Sequence, residues 1–368
     1  MQQLNLLNLD HKPKEYSKLF FGDYGQLGRL DKLNFEVFKN LAEASESNTW
    51  FMNEISYAKD KIGWETLPAN AQRMFKLNIL YQSAMDALVP DVFGYLSNMV
   101  TDTWLTYAYS RINTEEQIHN LSYSSGLTQV FGAEATNMID AIYEDELLKR
   151  RTAKEIESAE QFVTYVHNEG HSDDKAKKLI LELLVRTYML EGLKFPFSFF
   201  VTWTINKGFK NAIQGFSQAL KLIAWDELTY HVPVGRNVMV VLKNDITQEF
   251  SHLFNSGWFA EMLTEVVKET VALEIEWADY LLQDGEIPEF NREIAVHFIK
   301  YWAGERMKEL KVSPIYSEKE SDIITWYNRY RDLNNTHTAL MEAETTNYQK
   351  GKLKKDFDSY DWDTLSKL

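Results

Sequence analysis

Apolar residues recur along most of this chain at the spacing of a helix rather than of a strand. Leu77, Leu80, Tyr81, Met85 and Leu88 repeat at steps of three and four, as do Leu181, Leu184 and Tyr188. Read between glycine and proline breakers, the pattern predicts helices over 34–59, 69–99, 101–129, 134–169, 173–207, 211–244, 246–283 and 290–310. Several of these segments are apolar nearly all round, which places them in the middle of a bundle. Residues 1–30, with Pro13, Gly22, Gly25 and Gly28, read as an irregular arm. A single helical domain is expected over 31–335. Residues 336–368 are charged with isolated aromatics, and read either as a flexible tail with anchors for a partner or as a plain terminus.

Composition narrows this to an all-α protein. There are only 16 Gly and 7 Pro in 368 residues, too few for the turns of an all-β fold. A formal net charge of −15 repels phosphate backbones and disfavours nucleic-acid binding. No glycine-rich phosphate loop is present. The absence of cysteine excludes disulfides, thiolate zinc sites and any thiol or thiyl chemistry carried by this chain. The start, Met1-Gln2-Gln3-Leu4-Asn5, lacks the basic-then-apolar signal pattern. The most apolar run, 195–205, is too short to span a bilayer. A soluble cytoplasmic protein is expected.

The chemistry lies in acids and histidines set into apolar helical text. Glu116-Gln117-Ile118-His119 puts a carboxylate and an imidazole on one helix face, able to grip one ion. Alone, such a pair is more often a solvated pair. A second pair, Glu227 and His231, follows, and two further acids, Asp86 and Glu191, sit among apolar neighbours. A buried carboxylate needs a partner, and a salt bridge to a residue such as Lys194 would serve for either acid singly. Together the order is acid, Glu/His pair, acid, Glu/His pair. Di-iron and di-manganese bundles use this donor set, a carboxylate from each of two helices and a Glu/His pair from each of two more. Oxygen and nitrogen ligands without thiolate suit iron or manganese. Tyr123, four residues after His119, shares the face of Glu116 and His119 and can be oxidised by metals held there. Phe195 and Phe199, four and eight residues after Glu191, can exclude water; without a metal they are ordinary core aromatics.

With these residues in place, the chain resembles the small subunit of class I ribonucleotide reductase, from about Trp50 to the tail. The resemblance rests on Tyr81-Gln82-Ser83-Ala84-Met85-Asp86, Glu116-Gln117-Ile118-His119-Asn120-Leu121-Ser122-Tyr123, Leu190-Glu191-Gly192-Leu193-Lys194-Phe195 and Asp226-Glu227-Leu228. It implies a ferritin-like helical bundle with a four-helix di-metal core and additional helices around it. The implied ligands are Asp86, Glu116, His119, Glu191, Glu227 and a final histidine. The metals would be two irons, with dimanganese or mixed manganese–iron as alternatives. The resemblance also implies a stable tyrosyl radical on Tyr123, shielded by Phe195, Phe199 and Ile223. The radical would pass to a separate large subunit that binds nucleotides and carries the catalytic cysteines. Trp50 matches the relay tryptophan, Asp226 its hydrogen-bond partner toward His119, and Tyr348 the tail tyrosine, with Tyr360 as competitor. A homodimer is implied, with the tail end docked on the large subunit.

Two departures from the family pattern stand out. The second pair is Glu227-x-x-x-His231 where Glu-x-x-His is expected, and Tyr230 takes the expected position. An i,i+4 pair still shares a face, offset by about +40° rather than about −60°. A π-bulge absorbs such an extra residue, and Pro233 loosens the turn, so His231 is expected to ligate; the rival is Tyr230 facing the metals. Trp104 also lies further ahead of Glu116 than expected, which suggests an insertion at the start of that helix. Pro196 predicts a distorted turn beside Glu191. Two other functions remain open: a different ferritin-like di-iron oxidase or oxygenase, and a metal-storage or structural bundle.

Overall fold

The computed structural model describes residues 18–22, 34–245, 247 and 249–333. Among them the chain is helical, with only isolated bridges, Phe20 to Val100 and Ile287 to Phe290, in place of strands. In chain order the helices are α1 (Glu36–Glu46), α2 (Ala58–Trp64), α3 (Ala69–Met99), α4 (Thr103–Phe131), α5 (Glu134–Asp140), α6 (Glu146–Phe162) and α7 (Asp174–Met189). They continue with α8 (Phe195–Gly208), α9 (Gln214–Asp226), α10 (Val232–Lys243), α11 (Ser251–Asn255), α12 (Trp258–Leu281), α13 (Arg292–Glu309) and α14 (Asp322–Arg331).

Four long rods form the centre. Helices α3 and α4 lie side by side, α3 packs on α8, α4 on α9, and α8 on α9, which closes a four-helix ring. Two of the rods are compound. A π-helical turn at Leu190–Lys194 joins α7 to α8, and another at Glu227–His231 joins α9 to α10. Each is followed by a proline in the first turn of the next helix, Pro196 and Pro233. Proline cannot donate to the carbonyl four residues back, so the wide turn falls where that bond is already missing. The ferritin-like bundle is therefore widened on the two rods that carry Glu191 and the Glu227–His231 pair.

The surrounding helices cover this ring. Helix α1 lies on α4 and α10, α6 and α12 on α7, and α13 on α12 and the Leu190–Lys194 turn. Helix α2 approaches the start of α9 so closely that a Cβ on Gly63 would meet the Ala212 carbonyl oxygen at 2.0 Å. Asp60 of α2 is fully buried and accepts hydrogen bonds from the Gly215 and Phe216 N–H groups, each at 2.8 Å. It thus caps α9 from a different helix.

Most helices match the hydrophobic pattern closely, and the differences have local causes. The stretch 34–59 is split into α1, a 3-10 turn and α2, because Ser47 and Asn48 bond back to the Ala44 carbonyl and end α1. Helix α14 was not expected; it is polar overall and buries only Ile324, Tyr327 and Tyr330. No wide turn marks an insertion near Trp104, since α4 runs unbroken from Thr103, capped by the Asp102 carboxylate on the Trp104 and Leu105 N–H groups. Of the expected arm, Leu19 and Phe20 are buried, and the Leu19 carbonyl accepts from Thr101 N–H at 2.9 Å. The expected tail, with Tyr348 and Tyr360, lies outside the described residues. No helix among the described residues is long and apolar enough to cross a membrane.

Candidate metal centre

The four central rods bring six side chains to one point in the core. Asp86 comes from α3, and Glu116 and His119 from α4. Glu191 comes from the Leu190–Lys194 turn, and Glu227 and His231 from the second wide turn. Each is at most 2% exposed. Their donor atoms form two overlapping groups, Asp86, Glu116, His119 and Glu227, then Glu116, Glu191, Glu227 and His231, each within 4.8 Å.

Glu116 and Glu227 belong to both groups, and their oxygens divide between them. His119 Nδ1 lies 3.2 Å from Glu227 Oε1, 3.6 Å from Glu116 Oε2 and 3.8 Å from Asp86 Oδ2. His231 Nδ1 lies 2.8 Å from Glu227 Oε2, 3.1 Å from Glu116 Oε1 and 3.7 Å from Glu191 Oε2. Each shared carboxylate offers one oxygen to each side, the arrangement two bridged ions require. Both wide turns serve this geometry. In the second, His231 reaches the cluster although it stands four residues after Glu227, while the Tyr230 hydroxyl donates to the Ala108 carbonyl at 2.8 Å.

The far side of each imidazole is tied to a carboxylate outside the cluster. His119 Nε2 is 3.1 Å from Asp226 Oδ2, which also accepts from Trp50 Nε1 at 2.7 Å. Trp50 is buried and stacks on His119, ring centroids 6.0 Å apart. His231 Nε2 is 3.0 Å from Glu115 Oε2. Glu115 in turn accepts from Ser45 Oγ and from Arg111 Nη2, the latter at 3.0 Å. An ionised carboxylate can only accept, so it fixes the hydrogen on Nε2 and leaves the Nδ1 lone pair facing the cluster. Glu115 is not among the residues that the sequence singled out. The available signal was its i,i+4 step from Arg111 within an apolar stretch.

Electrostatics show that the cluster wants positive charge. Burial, and then the Glu116 carboxylate, push the Asp86 carboxyl well above the usual range. Burial, and then Glu227, do the same to Glu191. Burial also opposes charge on Glu227, but the adjacent His231 outweighs it and holds that carboxyl below the usual range. Burial works against charging His119 and His231 as well, yet the surrounding carboxylates hold both rings well above the usual histidine value.

The residues fit a pair of cations. The oxygens of Asp86, Glu116, Glu191 and Glu227 and both Nδ1 atoms are buried without a hydrogen-bond partner among the described residues. Such orphaned groups are costly unless an ion takes them up. As ligands the four carboxyls would be ionised and the two imidazoles neutral, giving four negative charges that two divalent cations balance. Oxygen and nitrogen donors without sulfur suit iron or manganese.

Tyr123 is 1% exposed, and its hydroxyl has no hydrogen-bond partner among the described residues. Burial, and then the Asp86 charge, keep the phenol protonated far above its ordinary range. Phe195, Phe199 and Ile223 are fully buried, and the Phe195 and Phe199 rings stack at 6.0 Å.

Comparisons with known proteins agree with this architecture. A family model described as "Ribonucleotide reductase, small chain" matches residues 29–322. The ribonucleoside-diphosphate reductase subunit beta of Haemophilus influenzae is 25% identical over 382 residues, covering 95% of each chain. In fold, the chain is similar to the ribonucleotide reductase R2 subunit from Clostridium botulinum, with a TM-score of 0.80 at 22% identity, covering 89% of this chain and 98% of that one. It is also similar to the dimanganese(II)-NrdF of Streptococcus sanguinis, with a TM-score of 0.64 at 17% identity, covering 83% and 99%. With a family match across most of its length and the fold of its solved relatives, the chain belongs to the small-chain family of ribonucleotide reductase.

Proposed function

We propose that this chain is the radical-generating small subunit of a class I ribonucleoside-diphosphate reductase, and that Tyr123 holds the radical. The observation that carries this is the pair of donor groups sharing Glu116 and Glu227, with a dry, protonated phenol on α4 seven residues after Glu116. Asp86, Glu116, His119, Glu191, Glu227 and His231 would hold two metal ions, irons in the first instance, with dimanganese or mixed manganese–iron as the other choices. When bound, such a centre supplies, with an oxygen species, the oxidising power to take one electron and one proton from a phenol.

The protein's own residues do the rest. Asp226 and Glu115 hold the two imidazoles in one orientation. Phe195, Phe199 and Ile223 keep water from Tyr123, so the phenoxyl is not quenched. The line His119–Asp226–Trp50 leads from the cluster toward Phe51 and Met52, which are 58% and 40% exposed. Trp50 is thus poised to pass an electron between the site and a partner. That partner would be a large subunit carrying the cysteines this chain lacks, reached through Tyr348, with Tyr360 as the competing tail residue. The assembly would be a homodimer of this chain with the large subunit.

The test is electron paramagnetic resonance on iron-loaded, oxygen-exposed protein. A tyrosyl signal is expected, and Tyr123→Phe should abolish it with the metal content unchanged. A signal that survives the substitution refutes the assignment.

A further inference from the structure

Tyr123 is not the only oxidisable ring near the cluster. Tyr81 lies on α3, five residues before Asp86, is fully buried, and meets the Phe195 ring at 6.4 Å. Trp277 of α12, also fully buried, is 6.1 Å from Tyr81, and Tyr280 is 5.8 Å from Trp277. Tyr280 is only half-buried, and its hydroxyl donates to Asp145 Oδ2 at 2.9 Å. These rings form a line from Tyr81, on the helix that carries the ligand Asp86, to the surface, ending on a phenol with a carboxylate to take its proton. An oxidised Tyr123 could be emptied along it. One electron would pass from Tyr280 through Trp277 and Tyr81 to the Tyr123 phenoxyl. Tyr123 would take back from the cluster side the proton it released there on oxidation and return to the phenol, while Tyr280 lost its hydroxyl proton to Asp145 and became the phenoxyl.

A cation stands over every ring of this line. The Arg151 guanidinium carbon lies 3.4 Å from the centroid of Tyr81 and 4.6 Å from that of Trp277. Arg73 lies over Tyr280 at 4.5 Å, nearer to water. Among the described residues no cation stands over Tyr123 or Trp50. Arg151 is fully buried and gripped by Glu274, Nε to Oε1 at 2.7 Å and Nη2 to Oε2 at 2.6 Å, with Nη2 also 3.3 Å from Ser198 Oγ. A buried ion pair is poor evidence of a stabilising role, because desolvation offsets its attraction. Its placement between two oxidisable rings calls for another reason. A cation over a ring face is attracted by the ring's electrons, and removing one electron turns that attraction into repulsion, unscreened where water is absent. The Tyr81 hydroxyl also has no hydrogen-bond partner among the described residues to take its proton.

We propose that Arg151 is an electrostatic stop on this line: held between Tyr81 and Trp277 by Glu274, its guanidinium keeps both rings reduced and confines the radical to Tyr123. The proposal rests on the assignment of the radical to Tyr123, so the experiment first requires a wild-type signal that Tyr123→Phe removes. Without that signal the underlying assignment fails, and this proposal with it. With it, Arg151→Met should shorten the lifetime of the Tyr123 radical about tenfold, and a second signal should appear that Tyr280→Phe removes. Glu274→Gln keeps the cation and an acceptor to hold it while removing the carboxylate charge that offsets it, and should leave the lifetime no shorter than in the wild type. If Arg151→Met does not fold, Arg151→Met/Glu274→Leu removes the cation without stranding a charge and takes its place. A wild-type lifetime without Arg151, equal shortening in both single variants, or a new signal on a ring outside this line would each overturn the proposal.

Discussion

Glu115 illustrates how one side chain can matter without touching the metals. It holds His231 by Nε2, as Asp226 holds His119, so both imidazoles present a lone pair from a fixed ring. Removing such a partner typically costs about 10- to 100-fold in metal affinity. Glu115→Ala should therefore weaken metal binding by about that factor, measured with chelator-buffered iron(II) or manganese(II). The loss should fall on the His231 side, visible as one metal lost before the other by anomalous scattering. Unchanged affinity for both metals would show that the wide turn alone orients His231. Glu116, His119 and Tyr123 were legible in the sequence because helical spacing puts them on one face of a single rod. Glu115 was not, because its partner lies on another element, 116 residues away.

At the scale of elements, the compound rods were partly legible. Pro196, Pro233 and the extra residue before His231 pointed to distorted turns, because a proline's missing donor and a surplus residue both disturb helical bonding in any context. The cap that Asp60 places on α9 could not be read, since nothing in the sequence near Asp60 names Gly215 and Phe216. Asp60→Ala should destabilise the protein by ~1–3 kcal/mol, measured by denaturant unfolding, because two buried N–H groups lose their acceptor. The same residue sets a pH dependence. Burial raises the Asp60 carboxyl from 3.8 to about 6, against the pull of its two backbone hydrogen bonds. The fold thus binds this proton more tightly than the unfolded chain does. Its contribution is fully present below pH 3.8 and is lost as the pH rises to about 6. Unfolding curves of Asp60→Asn should lack that part of the decline; identical pH profiles for variant and wild type would contradict it.

At the scale of the whole molecule, the helical bundle and its central four rods were legible from periodicity and from the scarcity of glycine and proline. Helix α14 was not, because a polar helix that buries three side chains leaves too narrow an apolar stripe to stand out. Two measurements test the molecule as an assembly. Metal analysis of the loaded protein should find about two ions per chain; many more would favour a storage bundle. Ending the chain before Tyr348 should leave metal content and the Tyr123 signal intact while abolishing binding to the large subunit and ribonucleotide reduction. Retained turnover would favour an oxidase that acts alone.

The wide turn at Glu227–His231 has a consequence for how such a site can change over time. An extra residue absorbed within one turn leaves the packing register beyond it intact, so Val234, Val238 and Leu242 still face the core. A single insertion or deletion here can exchange which side chain points at the metals without the many compensating substitutions that a shifted helix would require. The ligand set of this rod is thus open to revision by codon gain or loss, a mutational step to which an unbroken helix such as α4 would be far less tolerant.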